Sequence, residues 1–105
     1  MRYIDTFREG MHIADVYLCK NKQIALTKNG KEYGNLVMQD KTGNIDAKIW
    51  DLGSPGVGEF EIMDYVHVAA EGTLFQSYFQ LNVRRQRRAT AGEDVAAGYL
   101  PAATQ

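Results

Sequence analysis

A chain of 105 residues, 45% apolar and 24% charged, has the size and make-up of one globular domain, or of one domain and a tail. Its formal net charge of −1 excludes a global field that would draw in polyanions, so any affinity for nucleic acid must come from local clustering. Cys19 is the single cysteine and excludes an intramolecular disulfide, no apolar run approaches the ~18 residues of a membrane span, and Met1–Asp5 turns acidic without a signal-peptide pattern. The expectation is a cytoplasmic protein in a reducing compartment, with no membrane partner.

Residues 1–10 read as a lead-in punctuated by Arg8-Glu9-Gly10. Met11–Lys20 alternates as a strand, with Ala14, Val16 and Leu18 on one face and Ile13, Asp15, Tyr17 and Cys19 on the other. Lys22–Thr27 continues it after a bend. Lys28-Asn29-Gly30-Lys31 signals a hairpin, because Asn-Gly suits a turn that needs positive φ twice. Tyr33–Gln39 is the second predicted strand. Asp40-Lys41-Thr42-Gly43 supplies a tight turn, and Asn44–Trp50 is the third strand. That strand sets Ile45, Ala47 and Ile49 against Asp46, Lys48 and Trp50, the alternation of a hairpin with one packed and one wet face. Asp51–Gly58 breaks the pattern with glycines and Pro55, and Glu59–Met63 reads as a short helical turn. Tyr65–Glu71 is the fourth strand, with Val66, Val68 and Ala70 aligned. Gly72–Ser77 reads as a loop or bent hairpin. Tyr78–Arg85 is the fifth strand, with Phe79, Leu81 and Val83 inward and Tyr78, Gln80, Asn82 and Arg84 outward.

A long bent first strand and a break between the third and fourth predict an all-β, five-stranded Greek-key barrel of the OB-fold. A short or irregular helical segment is expected in the break. An SH3-like barrel is the nearest competitor. The domain is expected to occupy residues 1–88. Residues 89–105 are small, mildly acidic and contain Pro101, so they read as a linker or disordered tail.

Arg84-Arg85-Gln86-Arg87-Arg88 places four guanidiniums in five residues. Guanidinium forks bind phosphates bidentately, and such a run supplies salt-sensitive affinity. A solvated strand end partnered by the chain's own carboxylates is the alternative for Arg84, Arg85, Arg87 and Arg88. Lys28 and Lys31 edge the groove of the expected barrel, and Lys48 lies on its third strand. Tyr33, Trp50, Phe75 and Tyr78 are the candidates for stacking on bases, against ordinary core packing for each. Catalysis finds little support. His12 and His67 have no metal spacing, and one cysteine with two distant histidines does not make a zinc site, so no metal or cofactor is expected. Gly53-Ser54-Pro55-Gly56-Val57-Gly58 lacks the Lys-Ser/Thr and following helix of a phosphate loop.

Several stretches carry a resemblance. Val16–Lys20, Thr27–Tyr33, Gln39–Asp51, Leu74-Phe75-Gln76 and Leu81–Arg85 are similar to the N-terminal OB domain of YhaM-type 3′-to-5′ exoribonucleases, and Gly98-Tyr99-Leu100-Pro101 is similar to the stretch that joins it to the catalytic domain. The resemblance implies a module that binds single-stranded RNA or DNA, partnered by a metal-dependent HD hydrolase domain on the same polypeptide. It carries no catalytic residue onto this chain: His12 precedes Ile13 and His67 precedes Val68, so neither is the first half of a His-Asp pair. The alternative function is a protein-interaction barrel that forms a homo-oligomer without nucleic-acid affinity.

Overall fold

In the computed structural model, which describes residues 3–54 and 56–88, one strand bends around two neighbours. β1 (His12–Leu26) pairs antiparallel with β4 (Tyr65–Phe75) through its first half and with β2 (Glu32–Asp40) through its second. The change of partner falls at a register shift between Cys19 and Asn21. Such a bulge bends a strand and frees backbone groups from the ladder. Here the turn before β4 recovers them: Cys19 N–H donates to Asp64 C=O at 2.9 Å, and Met63 N–H donates to Cys19 C=O at 2.6 Å. β3 (Gly43–Ile49) pairs with β2, and β5 (Tyr78–Arg88) pairs with β4. A parallel seam between β3 and β5 closes the barrel in the order β1-β2-β3-β5-β4. The fold is the expected OB barrel.

The core follows from strand alternation. Tyr17, Leu36, Ala47, Val66 and Leu81 each come from a different strand and are all fully buried. Ile13, Tyr17 and Cys19 are the interior face of β1, whereas Val16 and Leu18 form a small second cluster against Tyr65. A 3₁₀ turn at Ile4–Thr6 brings Ile4 and Phe7 into the core, where the Phe7 and Tyr17 rings meet edge to face at 5.9 Å. Asp40 secures that turn. Its carboxylate is fully buried, with Oδ2 accepting from Ile4 N–H at 2.7 Å and Oδ1 from Thr42 N–H at 2.7 Å and Thr42 Oγ1 at 2.6 Å. The acid therefore both shapes the β2–β3 turn and anchors the chain's entry.

Several boundaries differ from expectation. Glu59–Met63 forms no helix. The break between β3 and β4 is a run of turns, and Phe60 fills the core from it. Lys22 holds that plug, with Nζ donating to Phe60 C=O at 2.7 Å and lying 4.5 Å from the ring centroid. In the first hairpin only Gly30 takes positive φ, at +83°. Thr27 does the remaining work by accepting Gly30 N–H and Lys31 N–H on its carbonyl and hydroxyl. Gly72–Ser77 is not a loop. β4 runs through to Phe75, and Gln76 and Ser77 turn the chain with φ of 52° and 66°. This is the hairpin alternative of the two expected there; two non-glycine residues in the left-handed region are uncommon, which left the choice open in the sequence. The linker expected at 89–105, with its Gly98–Pro101 stretch, lies outside the described residues.

Candidate nucleic-acid interface

The outward residues of β2, β3 and β5 meet on one continuous face. Pairing of Gly34 with Ile49 and of Asn35 with Lys48 places Tyr33 beside Trp50. Their rings lie 4.8 Å apart at 31°, tilted toward a stack. Trp50 Nε1–H donates to Asn82 Oδ1 at 3.1 Å, which fixes the indole across the β3–β5 seam. Trp50 nevertheless stays 43% exposed, which leaves part of it accessible to a ligand. Gly34 packs beneath the pair, and a Cβ there would make only ordinary contacts, 3.4 Å from Leu52 Cδ2 and 3.5 Å from Ile49 Cβ.

Lys48 Nζ donates to Asn35 Oδ1 between the two strands, presenting a cation two residues from Trp50. Arg84 joins Trp50, Asp51, Ser54 and Asn82 around a cavity of about 320 Å³. Its guanidinium also pairs with Glu71 at 3.1 Å, and Glu71 approaches His12 at 3.7 Å. The charge of Arg84 is thus shared with the chain's own carboxylate, although its side chain remains 69% exposed. Phe75 and Tyr78 face each other across the β4–β5 hairpin on the same side and are both largely exposed. The Tyr78 hydroxyl donates to Asp46 on β3, and that carboxylate raises the phenol's pKa.

The arginine run does not act as one patch. A register shift between Ala69 and Ala70 interrupts the β4–β5 ladder, where Val83 pairs with Ala70 and Arg85 with Ala69. Arg84 therefore joins the aromatic face, whereas Arg85 and Arg87 line a separate cavity of about 410 Å³ with Ala14, His67 and Ala69. The Arg85 stem rests on Gly56, where a Cβ would come within 2.8 Å of it. Gln86, between them, is buried and also borders that cavity. Arg88 ends β5, and its side chain lies outside the described residues. Lys28 and Lys31 are exposed at the tip of the β1–β2 hairpin. Among the described residues no group of three or more His, Cys, Asp or Glu side chains is placed to hold a metal ion, and no helix is long and apolar enough to cross a membrane.

The structure thus brings Tyr33, Lys48, Trp50 and Arg84 together, extends them to Phe75 and Tyr78, and sets Arg85 and Arg87 apart. It adds Asn35, Asp46 and Asn82, which were not singled out as binding residues. Their signal was the outward phase of β2, β3 and β5, but a polar residue on a wet face is unremarkable until its neighbours are known.

Comparison with known proteins bears on the fold that carries this face. The chain is 31% identical over 91 residues to the 3′-5′ exoribonuclease YhaM of Listeria monocytogenes, a match covering 87% of this chain and 29% of that protein. The chain resembles the N-terminal region of YhaM exoribonucleases. It spans less than a third of the length of this relative. No family model matches the chain. Among solved structures, an OB domain from Methanosarcina mazei superposes with a TM-score of 0.62 at 16% identity, over 93% of this chain and 88% of that one. A Replication Protein A heterotrimer bound to ssDNA superposes with a TM-score of 0.61 at 21% identity, over 83% of this chain and 63% of that one. At these identities the likeness establishes the OB-fold.

Proposed function

We propose that this domain binds single-stranded nucleic acid, RNA in the first instance, on the face of β2, β3 and β5. It delivers the strand to a hydrolase domain on the same polypeptide and does not cut it. The observation that carries this reading is the half-open Tyr33–Trp50 stack flanked by Lys48 and Arg84. Bases stack on such rings whatever their identity, while cations follow the backbone. YhaM is an exoribonuclease, and Replication Protein A was solved bound to ssDNA, which supports the same direction.

Fluorescence anisotropy with labelled single-stranded RNA and DNA at two salt concentrations tests it. Binding that weakens as salt rises is expected, because displaced phosphate counterions set the slope. No binding at low salt refutes the reading. Hydrolysis of the oligonucleotide by residues 1–105 with added Mn²⁺ refutes the non-catalytic assignment. The exposure of Ile24 and Leu26 on the β1–β2 hairpin favours a second role in self-association. Light scattering of the domain measures it, and a monomer at all concentrations removes it.

A further inference from the structure

β3 and β5 pair over only two rows, Ala47 with Leu81 and Lys48 with Asn82. Toward the beginning of both strands the ladder stops. A cavity of about 470 Å³ opens there between Asn44–Asp46 and Ser77–Phe79. Ile4 and Phe7 give it an apolar wall, and Asp40 holds that wall in place through Ile4 N–H. Phe79 is fixed as well: its ring packs where a Cβ on Gly72 would lie 2.7 Å from Cζ. The cavity therefore has preset sides and lies within the range of small-ligand sites.

Among the described residues, Asp46 is the only charged one lining it. A carboxylate beside Lys48 is out of place on a surface for phosphates, since it repels them. It suits the hydrogen-bond donors of a base. We propose that this cleft takes up a guanine of the bound strand, with the Asp46 carboxylate accepting from guanine N1–H and the 2-amino group. The inference rests on the single-strand reading of the adjoining face.

Among the bases, guanine alone offers two adjacent donors to a carboxylate. Adenine and cytosine set a ring-nitrogen acceptor beside their amino group, and uracil flanks its N–H with two carbonyls. A carboxylate has about four lone-pair positions, so the Tyr78 hydroxyl and two guanine donors are accommodated together. Base edges exposed in single strands are the ordinary target of sequence-specific RNA recognition.

The test is anisotropy with a uridine-rich RNA carrying guanosine, inosine or adenosine at one central position. Inosine keeps N1–H and lacks only the 2-amino group. Guanosine is expected to bind roughly tenfold more tightly than inosine or adenosine, toward the low end for a bidentate base contact. Asp46→Asn is expected to erase that ranking, so that the guanosine strand binds no more tightly than the inosine and adenosine strands. Equal affinities for the three strands in the unaltered domain overturn the guanine cleft and leave the stacking face standing. Absence of binding to every strand overturns both. A ranking that survives in a folded Asp46→Asn domain overturns the role of Asp46.

Discussion

Replacing Trp50 by alanine separates the binding role of the aromatic pair from its structural one. In the free domain the change removes the contact with Tyr33 at 4.8 Å and the 3.1 Å hydrogen bond to Asn82. An aromatic pair contributes about 0.5–1.5 kcal/mol beyond its area, and an exposed hydrogen bond about as much again at most. With Trp50 already 43% exposed, the folding cost is expected near 1–2 kcal/mol, a fall in Tm of roughly 4–8 °C per kcal/mol for a domain of this size. Stacking on a base is worth ~1–3 kcal/mol, so binding of single-stranded RNA should weaken by about 5- to 150-fold. Trp50 is the only tryptophan, so quenching of its emission on titration with unlabelled RNA reports the contact directly. Trp50→Phe keeps a ring and loses only the bond to Asn82, and is expected to retain most of the affinity. The reasoning is refuted if Trp50→Ala, folded by circular dichroism, binds within about twofold of the unaltered domain, or if saturating RNA leaves the emission unchanged.

Other outcomes follow from the packing. Gly72→Ala forces a Cβ to within 2.7 Å of Phe79 Cζ and 2.8 Å of the Arg8 carbonyl oxygen; a loss of about 1–3 kcal/mol is expected in urea denaturation, and an unchanged midpoint contradicts the close approach. Asp40→Asn puts an amide N–H₂ against one of the N–H or O–H groups that the carboxylate now receives, costing about 2–3 kcal/mol; thermal unfolding measures it, and a neutral result removes the anchor. Burial pushes the Cys19 thiol up to about 11, with a smaller opposing pull from Lys22. Its alkylation is therefore expected to wait for unfolding, and rapid labelling of the native domain near neutral pH speaks against it. Because the folded-state value is the raised one, the associated stability is intact below 9.0 and is lost as pH climbs to about 11, which denaturation at alkaline pH should show against Cys19→Ala.

Much of this protein is local. Alternation in 44–50 and 78–85 divides the core from the wet face, because successive strand residues point to opposite sides whatever the topology. The outward phase of Lys48 and Trp50 and the inward phase of Leu81 and Val83 follow from that period alone. Asn29-Gly30 marks the first hairpin because glycine tolerates positive φ at little cost. What the sequence could not determine needs neighbours distant along the chain. The Gln76–Ser77 turn uses two residues with no special fitness for it, so only the paired strands on either side decide between a loop and a hairpin. The arginines look like a single charged block in sequence. The interrupted β4–β5 register and the packing of Arg85 on Gly56 divide them between two cavities. The cleft beside Asp46 exists because a parallel seam of two rows closes the barrel and leaves the strand beginnings apart. Periodicity decides which way a side chain points, whereas closure of the barrel decides what it meets there.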